Sequence, residues 1–384
     1  MAAVFDQHGY PRAPARRSTT RRHGAGQSPA GTDGDGPARP SRDTAPVYGA
    51  LDLGTNNCRL LLARPHGRDF KVIDAFSRII RLGEGIYETG RLSEQAMART
   101  IDALKVCTDK LARRNVTRAR LIATEACRLA ANGGEFVDRV WREAGLRLEV
   151  ISRETEAHLA VAGCSPLLDP DCRAALVFDI GGGSSELMLV GIEEPGAGGA
   201  GAGSGHGHRI LDWISLPVGV VSLAERYGGI EIDCALFERM VADVTAHLTP
   251  FRSSGLVSEV CVDSASMHFL GTSGTVTTIA GIHLGLKRYD RSRVDGCWLN
   301  SADARRICGE VLDMGYEGRV RSPCIGRERA DLVLAGCAIL EAIIRAWGCE
   351  RIRVADRGLR EGILSELMSE DGYHAHPAAW RTGA

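Results

Sequence analysis

At 384 residues, with 44% apolar and 25% charged side chains, the chain has globular usage and room for two domains of ordinary size. Its formal net charge of -1 argues against wholesale nucleic-acid binding, so a polyanionic ligand would have to meet a local basic patch. No apolar run approaches the ~20 residues of a membrane-spanning helix, which predicts no membrane partner.

Residues 1–45 are rich in Pro, Gly, Ser, Thr and Arg and poor in large apolar side chains, so they cannot bury enough surface to offset their ordering entropy. They read as a disordered tail. The pairs Arg16-Arg17 and Arg21-Arg22 lack the apolar stretch of an export signal. From Tyr48 the sequence YGALDLGTNNCRLLLARPHGRDFKVIDAFSR describes an apolar strand ending in Asp-x-Gly, a polar turn, and two further strands. A helix is expected from Leu92, with Ser93 as N-cap and Ala96, Ile101, Leu104 and Leu111 on a helical period. The short strand ARLIAT follows, then Glu125, Ala126, Cys127 and Arg128. In ISRETEAHLAVAG, Ser152 can cap a helix whose apolar face is Ala157, Ala160, Val161 and Cys164. Glu156 then falls in its second turn beside that stripe, a position that on periodicity alone suits a solvated surface glutamate.

The meander repeats from Ala174. AALVFDIGGGSSELMLVGIEE and HRILDWISLPVG flank a glycine-rich stretch at 195–208 that reads as a flexible hairpin loop. Asp52 aligns with Asp179 and Gly54 with Gly181, and one β-meander occurring twice implies two similar domains facing each other, with these acids across a cleft. Later come GTSGTVTTIAG from Gly271, the buried helix RADLVLAGCAILEAIIRAWG ending at Gly348, the strand RIRVAD and the last helix GLREGILSELM. Strands and helices mixed in this way define an α/β protein. The expected units are a first domain of 46–153 plus 357–384 and a second of 154–356.

Both Asp-x-Gly turns suit phosphate, because glycine brings backbone N–H groups close to an anion. In the first, Asn56 and Asn57 add side-chain donors; in the second, Gly181, Gly182, Gly183, Ser184 and Ser185 form a cradle. Each alone could be only a turn. Their pairing, each after an aspartate, favours phosphate binding. No Walker A pattern is present, which removes the P-loop NTPases. At Gly274 a helix start again offers free N–H groups. The twelve cysteines include no C-x-x-C pair, and Cys58, Cys107, Cys127, Cys261, Cys337 and Cys349 sit among apolar or small neighbours, as free core thiols of a reducing cytoplasm would.

With both cradles, ATEACRLA, RETEA, GTSGT and DRGLREG in one order, the chain resembles the exopolyphosphatase/guanosine pentaphosphate phosphohydrolase (Ppx/GppA) family from about Tyr48 to about Met368. The resemblance implies two ribonuclease H-like domains of the actin-like ATPase superfamily, with the active site in the cleft between them. It implies Glu156 as general base, Glu186 as a second essential glutamate, and Asp179 as the acid associated with Mg²⁺ or another divalent cation, beside Glu186 and Asp52. It further implies Arg128 as a phosphate-clamping arginine, with Asn56, residues 181–185 and Gly274 contacting phosphate. One departure stands out: many members read S-G-x-E-E-A where this chain has Ser152-Arg153 and Thr155. The expected activity is removal of terminal orthophosphate from inorganic polyphosphate in the cytoplasm. The alternatives are removal of one phosphate from guanosine pentaphosphate and a non-catalytic regulator that binds guanosine tetraphosphate. The partner beyond the substrate is a second copy of the chain, if it forms a homodimer.

Overall fold

The structure is a computed structural model that describes residues 45–67, 69–192, 208–260 and 267–373. The expected tail and glycine loop lie, but for Ala45 and His208, outside the described residues, as does Cys261.

The first meander forms β1 (Tyr48–Leu53), β2 (Asn57–His66) and β3 (Asp69–Ile79), all antiparallel neighbours. β4 (Arg118–Ala123) and β5 (Glu149–Val150) extend the sheet in parallel beyond β1, giving the order β3-β2-β1-β4-β5. The second meander repeats this as β6 (Ala174–Ile180), β7 (Ser185–Ile192) and β8 (His208–Leu216). β9 (Met267–Thr272), β10 (Trp298–Asn300) and β11 (Arg351–Ala355) complete it in the order β10-β11-β9-β6-β7-β8. Leaving aside the short antiparallel edge strand β10, the two sheets have one topology, the ribonuclease H-like one. The central strands YGALDL and AALVFDI are nearly continuous apolar runs because helices cover both faces of each sheet.

The helices that position the site are α1 (Glu94–Arg113), α2 (Glu125–Leu129), α3 (Arg153–Cys164), α4 (Val220–Tyr227), α5 (Cys234–Arg252), α6 (Gly274–His283), α7 (Val333–Trp347) and α8 (Leu359–Glu370). On the outer face of the first sheet Leu51, Leu53, Leu60 and Leu62 pack with Ile101 and Leu104 of α1. On the outer face of the second, Leu176, Phe178, Leu187 and Leu189 pack with α5 and α7. The inner faces meet α8 and α3 respectively: Ala50, Leu61 and Ile122 bury Ile363 and Leu364, while Val177, Met188 and Val190 bury Ala157, Ala160 and Val161. The last helix therefore packs on the first sheet although it follows the second in sequence.

Helices α3 and α8 cross between the sheets through glycine. A Cβ on Gly163 would lie 1.9 Å from the Gly358 carbonyl oxygen, and one on Gly362 would lie 2.0 Å from that of Leu159. Backbone touches backbone there, and no side chain fits. Ser93 and Ser152 cap their helices as expected, accepting from the N–H groups of Ala96 and Thr155 at 3.2 and 3.1 Å. The helix read from Arg329 begins instead at Val333. The preceding turn is drawn elsewhere: Arg319 donates to the Ala330 carbonyl at 3.0 Å, and Asp331 accepts from Arg81 at 2.8 and 3.0 Å.

Candidate active site

The two Asp-x-Gly turns have the same internal bond. Gly54 N–H donates to the Asn57 carbonyl at 2.9 Å, and Gly181 N–H to the Ser184 carbonyl at 3.0 Å. The turns also touch across the cleft. A Cβ on Gly182 would be 3.0 Å from that of Thr55, and one on Gly183 would be 2.8 Å from both Thr55 Oγ1 and the Tyr87 hydroxyl. The close approach of the two halves thus favours glycine at 182 and 183. Three further contacts hold the cleft shut: Tyr87 O–H to the Gly183 carbonyl at 2.7 Å, Gly85 N–H to Glu225 at 2.8 Å, and the paired bonds from Arg81 to Asp331.

Register sets the acids. Asp52 on β1 pairs with Arg59 on β2, and Asp179 on β6 pairs at the equivalent place with Glu186 on β7. The first half thus has a balanced pair, whereas the second has two carboxylates side by side. Glu186 is buried and accepts from the hydroxyls of Ser184 and Ser215 at 2.7 and 2.9 Å. Ser185 donates to the Val218 carbonyl at 2.7 Å. Both cradle serines thereby commit their hydroxyl hydrogens to the protein.

Glu156 arrives in the first turn of α3, a turn earlier than periodicity placed it. Its side chain is 15% exposed and accepts from Arg128 at 2.7 Å. It is no solvated surface glutamate. Burial raises the carboxyl pKa of Glu156, and the negative charge of Glu186 raises it further, against the pull of Arg128. Burial likewise raises Glu186, against the hydrogen bond from Ser184. Asp179 is pushed up to about 7 by burial and by the charge of Glu156. Asp52 is raised by burial, partly offset by Arg59 and Arg360. Four carboxyl groups of one cluster thus resist full ionisation.

This donor set fits a hard divalent cation in its chemistry, since Asp179, Glu186 and Asp52 are oxygen ligands and the Asp179–Glu186 pair has no cation set opposite it in the register. The buried Asn56 Oδ1, on the turn that meets Gly182, has no hydrogen-bond partner among the described residues. Among the described residues no three His, Cys, Asp or Glu side chains form a ready-made metal cage. Mg²⁺ usually takes only one or two protein carboxylates and completes its shell with water and substrate phosphate.

Arg128 is more committed than a free clamp would be. It donates to Glu125 through Nε and Nη2 at 3.1 and 2.9 Å, to Glu156 through Nη2, and to the Ile151 carbonyl through Nη1 at 2.8 Å. Glu125 is a buried participant that the sequence reading passed over inside ATEACRLA. The less committed cations lie at Gly274: a Cβ there would be 3.8 Å from Arg329 Nη1 and 4.0 Å from Arg59 Nη2. Among the described residues neither arginine makes an ion pair. Arg59, Arg329 and Arg360 were not singled out from sequence, although Arg59 stands in the repeat where Glu186 stands, seven residues after the aspartate.

The Ppx/GppA phosphatase family model matches residues 62–371. The chain belongs to this family. A curated relative from Aeromonas hydrophila, named guanosine-5'-triphosphate,3'-diphosphate pyrophosphatase, is 27% identical over 331 residues, or 85% of this chain and 60% of that relative. The chain spans well under two thirds of that relative's length. Among solved structures, the Ppx/GppA family member of Aquifex aeolicus is 29% identical with a TM-score of 0.67, covering 85% of this chain and 98% of that one. An exopolyphosphatase from Cytophaga hutchinsonii shares the fold at 23% identity and a TM-score of 0.73, over 86% of this chain and all of that one. The cysteines named from sequence, Cys261 apart, are buried free thiols, and no described helix is long and apolar enough to cross a membrane.

Proposed function

We propose that the chain is a hydrolase that removes the terminal phosphate of guanosine pentaphosphate by attack of water. The observation that carries this is the convergence of Glu156 with Asp179 and Glu186 beside two matching glycine turns. Phosphoryl transfer asks a protein for positioning and charge stabilisation more than for covalent chemistry. In this reading Glu156, with its raised pKa, orients the water and takes its proton. The N–H groups of the two turns and Arg128 face the terminal phosphoryl oxygens. Asp179 and Glu186, with Asp52, would hold Mg²⁺. Bound there, the cation would neutralise charge on the phosphate oxygens.

The name of the Aeromonas relative supports guanosine pentaphosphate over polyphosphate, the substrate the sequence favoured. So does the layout of cations. Guanosine pentaphosphate carries phosphate groups on two sides of its ribose, and Arg59 with Arg329, both near Gly274, would supply cations besides Arg128. Glu156 and Glu186 are both present, which speaks for turnover over a regulator that only binds. Phosphate release should be measured from guanosine pentaphosphate and long-chain polyphosphate side by side, with Mg²⁺. Faster turnover per active site on guanosine pentaphosphate is expected; release from polyphosphate alone would reverse the assignment, and release from neither would leave the binding-only reading.

A further inference from the structure

Arg153, which departs from the motif that the resemblance implies, has a partner. It donates through Nη2 to Glu125 Oε1 at 2.6 Å and through Nε to Oε2 at 3.2 Å. Glu125 Oε2 also receives both bonds from Arg128, whose Nη2 reaches on to Glu156. The result is an alternating chain, Arg153, Glu125, Arg128, Glu156, running from the lip of the cleft to the base. Arg153 is 45% exposed on its side chain and Glu125 only 5%. Glu125 also lies against the second cradle, since a Cβ on Gly183 would be 3.1 Å from its Cγ.

A guanidinium has five N–H groups, and four of those on Arg128 are taken: two by Glu125, one by Glu156 and one by Ile151. A phosphate that requires more than the one remaining N–H must displace a partner. Glu125 is the harder to displace, because its Oε2 takes two bonds from Arg128, its side chain is less exposed and Arg153 holds it from behind. Glu156 is held by a single bond.

We infer that the Arg153–Glu125 pair positions Arg128, so that an arriving phosphate displaces Glu156 from the guanidinium and Glu125 stays. Substrate binding then frees the base from its ion pair at the moment the phosphoryl group is in place. Glu125 and Arg153 are positioning residues here, acting through Arg128. The inference rests on the reading of Glu156 as base, and it assigns a role to the departure at Arg153.

The test compares Glu125→Gln, Arg153→Ala and the double variant, with circular dichroism to confirm folding. Binding of inorganic phosphate is read by calorimetry and turnover on guanosine pentaphosphate by steady-state kinetics. Glu125→Gln leaves more of the Arg128 charge and N–H groups free, so phosphate should bind about three- to tenfold tighter while turnover falls about tenfold, the net scale of one ordinary hydrogen bond. General damage would weaken both. Arg153→Ala, which loosens the hold on Glu125, should shift phosphate affinity the same way but by less in the parent, and have no further effect in the Glu125→Gln background. An independent effect there would mean that Arg153 contacts phosphate itself and would overturn the inference, as would looser phosphate binding in Glu125→Gln. Should Glu125→Gln fail to fold, Glu125→Asp, which shortens the reach to Arg128, replaces it with the same expected signs. The calorimetric arm decides the question even if the parent hydrolyses nothing.

Discussion

Asp179 and Glu186 are cross-strand neighbours on β6 and β7, two carboxylates side by side at the register where the first half sets Arg59 against Asp52. Like charges directly opposite destabilise a sheet. The second half therefore carries an unbalanced acidic pair at the cradle, while Glu156 reaches the same place from a helix.

This asymmetry separates the roles of the two glutamates. Glu156→Gln should lower turnover by roughly 10²–10⁴-fold, the usual worth of a general base, with little change in the Mg²⁺ concentration for half-maximal rate. Glu186→Gln should raise that concentration. Mg²⁺ titrations of both variants check the assignment, and swapped responses would refute it.

The cluster also sets a pH dependence for the metal-free protein. Each of the four acids has a folded pKa above its unfolded value, so at intermediate pH the folded state binds more protons than the unfolded one. Their contribution is complete below about pH 4, the unfolded range, and declines as pH rises through the folded values, that of Asp179 being about 7. Thermal unfolding in EDTA should show the melting temperature falling between pH 5 and pH 8 as these groups ionise, with a shallower fall in Asp179→Asn (about pH 5–8 brackets the shift). Adding Mg²⁺ at the high end should restore stability. A parent and variant with equal slopes would remove Asp179 from the account.

How the halves close is open to a direct test. Tyr87→Phe removes the hydroxyl bonded to Gly183 and should shift the protein toward an open cleft by about 1 kcal/mol, one hydrogen bond's worth. Small-angle scattering should then give a larger radius of gyration without phosphate. An unchanged radius in both Tyr87→Phe and Asp331→Asn would show that other contacts hold the cleft.

The repeat was legible in the sequence because each copy couples an apolar strand to the same turn, and hydrogen-bond geometry follows from that turn. Ser93 and Ser152 were legible as caps because capping is local. Glu125 was not, since nothing near it marks burial; it depends on Arg153 arriving from another element. Arg81 and Tyr87 were hidden for the same reason, their partners lying across the cleft, and Arg329 because the Thr278 it reaches is 51 residues away. Glu156 was placed by resemblance, while periodicity pointed to the surface. Arg59 could have been found by extending the repeat seven residues past each aspartate.

Gly163 and Gly362 should tolerate no side chain. Gly362→Ala would put a methyl group 2.0 Å from the Leu159 carbonyl oxygen, and over-packing of this kind costs about 1–3 kcal/mol or more. Chemical denaturation should show that loss. Parental stability in Gly362→Ala would mean that the helices part easily.

That bare crossing has a mechanical consequence. Interlocked side chains would act as teeth and allow only stepped changes of angle between the sheets, whereas smooth backbone surfaces form a bearing. Any turn of the two lobes about it would be magnified by distance from the axis at the lip, where Arg81 meets Asp331. The fulcrum is built from residues that cannot vary, so adaptation to a new ligand falls to the rim.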